Sequence, residues 1–419
     1  MKKTVSTFFT IFCLLSTVFL MGFAFNIQSV RASGTIYIRA DGSVDPPDAP
    51  IHRDGDLYTL TDNITCDADG IVIDRNDTTL NGAGYTLRGS YATGSRGIDL
   101  SERSNVTIKN VNIKSFFYGV CLVSSSSCTI SGNNITANRQ HGIGLRYGRY
   151  GSSNNNTISG NNIENNSNGI WVDGSYNNVS GNNITASRVD GIVLGWSYND
   201  ISGNNIENNS LGIYVDGSYH NVSGNNIIAN NRHGIRLQGA SNNNVSGNNI
   251  TDNSDIGIYL DDSRSNSIFG NYIADNGWGI SLSFSSKDNL VYHNSFINNT
   301  IQAFDINDPP VNIWDVGYPS GGNYWSDYEE RYPDAEQIDE AGIWNTPYVI
   351  DENNQDNYPL INPWSPPQVE DEVPFWMQWW FYAIVAVGIV ALAGTVYFLK
   401  KRKLPTTPPL PPESAEQSE

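Results

Sequence analysis

From Ser131 to Ile297 apolar and polar residues alternate in short bursts, separated by Gly and Asn, and the same bursts keep returning. Within Gly169-Ile-Trp-Val-Asp173 the apolar Ile170 and Val172 stand two apart, as a strand with one inward face requires. Val179 and Ile184 then supply single inward residues on two later short strands. The i, i+3, i+4 spacing of a helix is missing, and β-branched Ile and Val hold the inward positions. Gly and Asn occupy the intervening corners, where the chain must turn and a positive φ is tolerated.

The repeated phrase is Ser131-Gly-Asn-Asn-Ile135, returning at Ser159, Ser180, Ser202, Ser223 and Ser246 and decaying at Phe269 and His293. A second phrase, Gly-Ile-x-Leu or a variant, interleaves with it at Gly97, Gly119, Gly142, Gly169, Gly191, Gly212, Gly234, Gly257 and Gly279. The gaps are roughly 21 to 23 residues, with one near 27, the self-similarity of a solenoid. Three strands and three turns in each repeat describe a triangular coil. Coils of this kind stack as parallel strands about 4.8 Å apart. The predicted fold class is all-β, a parallel solenoid of roughly eleven coils. The paired Asn of each phrase are expected to form side-chain ladders along the stack.

The repeats and the segment after them resemble the right-handed parallel β-helix proteins, and within these the NosD-like proteins of prokaryotic, in particular archaeal, cell envelopes. The closer likeness lies in Trp314-Asp-Val-Gly317, Gly322-Asn-Tyr-Trp-Ser-Asp-Tyr328, Asn345-Thr-Pro-Tyr-Val-Ile350 and Asp356-Asn-Tyr-Pro-Leu360. That resemblance implies carbohydrate binding at the cell surface. It also raises copper, because some relatives are associated with copper-enzyme maturation. The three methionines Met1, Met21 and Met377 lie in the leader or the apolar C-terminal run. His52, His141, His220, His233 and His293 show no ligand spacing, so no copper and no other cofactor is expected. In relatives the stretch after the closing phrase is an Asp/Gly run suited to calcium. Here it reads Asp334 to Gly342 without that alternation, and no calcium is expected.

The organisation that follows is a signal peptide (1–32), an N-terminal cap (33–69), repeats (70–306), an aromatic-rich C-terminal cap (307–364), an acidic linker (365–374), a transmembrane helix (375–399) and a Pro-rich tail (400–419). Phe375 to Leu399 is long enough to cross a bilayer, with Trp376, Trp379, Trp380 and Tyr382 as an aromatic belt. Lys400 to Lys403 place the tail in the cytoplasm and the repeats outside. Between the two ends, 17 basic residues face 40 acidic ones, a net charge of about −23 that disfavours nucleic acid, anionic lipid and strongly acidic polysaccharide. About a dozen Asn-x-Ser/Thr sites, among them Asn63, Asn134, Asn183 and Asn298, are open to glycosylation. Of the cysteines after the leader, Cys121 and Cys128 fall in one coil, where a disulfide and two buried thiols are both open readings.

With each phrase Gly as position zero, position two points outward and carries Trp171, Val193, Tyr214, Arg236 and Tyr259. Position four carries Asp173, Gly195, Asp216, Gln238 and Asp261, and position seven Tyr176, Tyr198 and Tyr219. Aromatic rings beside carboxylates suit a glycan, whose pyranose rings have an apolar C–H face and a polar rim. The candidate ligand-binding residues are therefore Trp171, Tyr214, Tyr259, Tyr176, Tyr198, Tyr219, Asp173 and Asp216, with a glycan or an envelope protein as partner. The alternatives are a polysaccharide lyase or hydrolase and a purely structural element whose rings only stack. Asp173 and Asp216 stand two coils apart, near the upper limit for a hydrolase pair. A lyase would use Arg236 between Asp216 and Asp261, with His233 nearby. Catalytic sites usually interrupt a repeat with a pocket or loop. The one insertion, Arg146 to Ser153, brings Arg149 but no carboxylate, so the sequence favours binding over catalysis.

Overall fold

The structure is a computed structural model that describes residues 34–283, 285–306 and 312–365. The expected signal peptide, transmembrane helix and tail lie outside the described residues. Among those described, no helix is long and apolar enough to cross a membrane.

Inward Ile and Val repeat in register because only one face of each short strand can be buried. Ile143, Ile170, Ile192, Ile213, Ile235, Ile258 and Ile280 are successive partners in one sheet. Val179, Ile201 and Val222 stack in a second, and Ile184, Ile206 and Ile227 in a third. All are withdrawn from solvent, each contributing roughly 1.5–3 kcal/mol of apolar burial. The three sheets contain 13, 12 and 12 strands, and their coil-to-coil pairings are parallel. The result is an all-β parallel β-helix of about eleven turns. Its first coil already begins inside 33–69, because Ile36–Ile38 pairs in parallel with Ile71–Ile73 and Leu57–Leu60 with Thr78–Asn81. Antiparallel additions at Val44–Asp45 and Ile51–Asp54 finish that end.

From Gly132 to Asn299 each corner follows one rule, a residue in the left-handed region followed by an inward polar residue, whereas earlier corners place Val106, Val111 and Phe116 there. Between the second and third sheets the first member is Gly160, Gly181, Gly203 or Gly224, all at φ 62°, where a side chain would be strained. The second member is the buried Asn161, Asn182, Asn204 or Asn225. Asn182 accepts the Asn161 backbone N–H at 3.0 Å and donates from Nδ2 to Asn204 Oδ1 at 2.9 Å, and the motif repeats coil after coil. The second Asn of the phrase forms its own ladder on the surface, through Asn183, Asn205 and Asn226. Two further buried ladders run along the other corners, through Asn156, Asn177 and Asn199, and through Asn209, Asn230 and Asn253.

The buried ladder of the phrase ends at Asn323, whose backbone N–H donates to the Asp356 carboxylate at 2.7 Å. Trp325 covers the last apolar layer, stacked on Phe296 at 4.6 Å and on Tyr348 at 4.1 Å. Trp314 and Tyr328 are buried with it. Cys121 and Cys128 are both buried and are not joined. Cys121 pairs with Asp99 and Gly144 on the first sheet, while Cys128 lies in the core beside the second. Burial pushes the Cys121 thiol up to about 11.

Candidate functional site

The Gly-Ile-x-Leu strands form the first sheet, and its outer face carries the predicted residues. Trp171 pairs with Val193, Val193 with Tyr214, Tyr214 with Arg236 and Arg236 with Tyr259. Val193 also points outward, yet it is only 4 % exposed, because the larger Trp171 and Tyr214 flank it. In the next row Gly195 pairs with Asp216, and a Cβ at Gly195 would lie 3.1 Å from Asp173 Oδ1. The Gly191 coil therefore places the small Val193 and Gly195 between Trp171 and Asp173 on one side and Tyr214 and Asp216 on the other, and the larger side chains close over Val193. The Tyr214 hydroxyl donates to Gln238 Oε1 at 3.0 Å, and burial raises its pKa.

The residue before each phrase Gly joins the same outer face. His141 stacks on Trp171 at 5.0 Å, and His233 leans on Tyr259 at 5.1 Å. Asp190, at the equivalent place in the Gly191 coil, is largely enclosed. Desolvation pushes its carboxyl up to about 6, against the pull of Arg232 and Arg236. Burial also holds His141 down to about 4 and lowers His233. Asp255 Oδ2 lies 3.3 Å from His233 Nδ1, without hydrogen-bond alignment. Of the residues named for a lyase, the structure joins Arg236 to Asp261 at 2.9 Å. Asp216 lies across the sheet from Gln238 rather than at that ion pair, and is exposed.

Tyr176, Tyr198 and Tyr219 are neighbours at the corner beside this face. Their rings lie face to face at 5.1 and 5.0 Å, with interplanar angles of 4° and 7°. The flat faces therefore cover one another, and mainly edges and hydroxyls meet solvent. All three occupy the left-handed region, at φ 59°, 60° and 60°, a conformation in which bulky residues are uncommon. The insertion folds as a small hairpin closed between Gly148 and Gly151. It places Tyr147 on Trp196 at 5.7 Å, a pair that position counting did not identify.

Two family models match the sequence. One, described as periplasmic copper-binding protein (NosD), covers residues 179–330, and the other, right handed beta helix region, covers 51–206. No match was found among curated proteins. Among solved structures, the Dettilon tailspike protein is 17% identical with a TM-score of 0.48, over 60% of this chain. The match spans 61% of the tailspike's own length. The periplasmic alginate epimerase AlgG is 16% identical with a TM-score of 0.45, over 66% of this chain and 84% of its own. DFA-IIIase from Arthrobacter chlorophenolicus A6 is 12% identical with a TM-score of 0.46, over 59% of this chain and 72% of its own. With its repeated phrases, parallel register and aromatic closing segment, the chain is a NosD-like right-handed parallel β-helix protein.

Proposed function

We propose that the protein is a membrane-anchored extracellular β-helix that binds glycan chains on the outer face of its first sheet. The pairing of a ring with a carboxylate on alternate coils carries this reading, because Trp171 with Asp173 and Tyr214 with Asp216 stand two strand spacings apart on one outer face, roughly 10 Å. The leader and the apolar run from Phe375 to Leu399 support the anchored, external placement. Trp171, Tyr214 and Tyr259 are the ring contacts in this reading, and the stacked Tyr176, Tyr198 and Tyr219 offer edges and hydroxyls beside them.

The copper named for the matching family does not fit this donor set. Cys121 is held as a thiol by burial, and His141 and His220 are enclosed and apart in the fold. Among the described residues no group of three or more His, Cys, Asp or Glu side chains is placed to hold a metal ion.

The test incubates the full chain, in detergent micelles, with a polysaccharide panel. It follows protein depletion and glycan products by mass spectrometry in the same tubes. Depletion with intact glycan is the expected result. Trp171→Ala combined with Tyr214→Ala is expected to weaken it at least about fivefold, as truncation of buried aromatic anchors does. New reducing ends or unsaturated sugars would instead favour a processing enzyme, a reading supported by the enclosed Asp190 beside two arginines. Neither depletion nor product on any glycan would leave a structural envelope element.

A further inference from the structure

Beyond Tyr214, toward the C-terminal end, the same outer face holds a depression of about 430 Å³. Its lining is divided by chemistry. Trp278, Phe304 and Ile306 are apolar, whereas Arg232, His233 and Arg236 are nitrogen-bearing. Arg236 is already engaged, through its ion pair with Asp261 and its position over the Tyr259 ring at 5.4 Å. Arg232 differs. It is exposed, and among the described residues its guanidinium has no ion pair and no side-chain hydrogen bond.

The geometry points to a subsite for one anionic substituent on an otherwise neutral glycan, with Arg232 pairing the anion and Trp278 and Phe304 receiving the sugar ring that bears it. This rests on the glycan reading above. A guanidinium fork fits the two oxygens of a carboxylate and equally those of a sulfate ester, so both sources share the chemistry. Dense polyanions are disfavoured for two reasons. The external region carries a net charge of about −23. Asp255 also lines the depression itself, and Asp261 is ion-paired to Arg236 at its edge. The subsite therefore selects an isolated charge rather than a run of them.

The probes are methyl glucuronide, methyl glucoside and methyl glucoside 6-sulfate, with polygalacturonate and a sparsely branched glucuronoxylan as polymers. Binding to the full chain in micelles is read by ligand NMR and tryptophan fluorescence at low salt. At least one anionic monosaccharide is expected to bind about tenfold tighter than the glucoside, the scale of one charge-assisted pair. Which of the two does so assigns the source. Arg232→Gln, at an exposed position, is expected to abolish that preference while leaving glucoside binding unchanged. Trp278→Ala is expected to weaken all three, and glucuronoxylan is expected to bind better than polygalacturonate. Equal binding of all three monosaccharides, a preference that survives Arg232→Gln, or tighter polygalacturonate binding would overturn the subsite. Undetectable binding of all three at millimolar concentration would do the same. If neutral polysaccharides still deplete the protein in any of these cases, the glycan reading stands without the subsite; if nothing depletes it, both fall.

Discussion

Asp356→Ala is expected to open the C-terminal end of the solenoid and to lower its stability by several kcal/mol. The carboxylate is fully buried. Its Oδ2 accepts the Asn323 backbone N–H at 2.7 Å and the Trp325 indole N–H at 3.0 Å, and its Oδ1 accepts the Tyr358 backbone N–H at 3.0 Å. Alanine would strand two buried donors, the Asn323 N–H and the Trp325 indole, at about 1–3 kcal/mol each, and would also remove the acceptor of the part-buried Tyr358 N–H. Chemical denaturation should show an early transition, with amide exchange accelerating first around Asn323 to Trp325. Asp356→Asn is the milder change, since its amide oxygen can still accept two of the three donors. An unchanged unfolding curve for Asp356→Ala would show that the ladder needs no terminus.

The same group gives the cap a pH dependence. Burial pushes the Asp356 carboxyl up to about 7, against hydrogen bonds that favour the charged form. With its folded pKa above the unfolded value of 3.8, the folded state holds the proton more tightly. That contribution is complete below the unfolded value and is lost as pH rises through about 7. His141 and His220, each held down to about 4, act oppositely as pH falls below the usual imidazole value. The stability advantage of the native protein over Asp356→Asn should therefore shrink between pH 5 and pH 8. A constant gap between the two curves would remove Asp356 as the source.

The closing phrase shows what a sequence can and cannot yield. Gly322-Asn-Tyr-Trp-Ser-Asp-Tyr328 stood out as a signature without a stated cause. Its physical reasons lie at long range. A Cβ at Gly322 would meet Asp356 Oδ1 at 1.9 Å, Asn323 terminates the ladder, and Asp327 accepts the Tyr348 hydroxyl at 3.1 and 3.0 Å. The coil, its inward Ile and Val, and the ladder of paired Asn were legible because each recurs at a fixed period. The outward rows at positions two and four were legible by the same parity, which sets Trp171, Val193 and Tyr214 side by side on one face.

Parity failed one residue before each phrase Gly. Counting by two places Asp190 and His233 on the buried side with Ile192 and Ile235. The strand pairing skips the Gly, however, as Asp190 with Leu211 followed by Ile192 with Ile213 shows, and this local bend turns them outward. Periodicity likewise put Tyr176, Tyr198 and Tyr219 in a row but could not give their ring planes. Those are set by the spacing of the stacked coils, which matches the distance at which rings cover one another.

Two adjacent residues, Asn204 and Asn205, provide the sharpest test of the ladders. Asn204 is buried, and its Nδ2 donates to Val179 O at 2.8 Å and Asn225 Oδ1 at 2.9 Å. Its Oδ1 accepts both the backbone and the side-chain N–H of Asn182, at 3.0 and 2.9 Å. Alanine there leaves the Asn182 backbone donor and the Val179 carbonyl stranded in the interior, and it empties the space of the amide. The expected loss is about 2–5 kcal/mol. Asn205 makes the same kind of contact on the outside, donating to Asn183 Oδ1 at 2.8 Å and accepting from Asn226 at 2.7 Å. Water can replace both bonds, so Asn205→Ala should cost no more than about 0.5 kcal/mol. In a solenoid each coil rests only on its neighbours, so a coil weakened at its centre can uncouple the two halves. Asn204→Ala should therefore also broaden the denaturant transition, while Asn205→Ala leaves its slope unchanged. Equal losses for the two variants would mean that the ladders hold the stack by geometry alone, and that burial of the amide adds nothing.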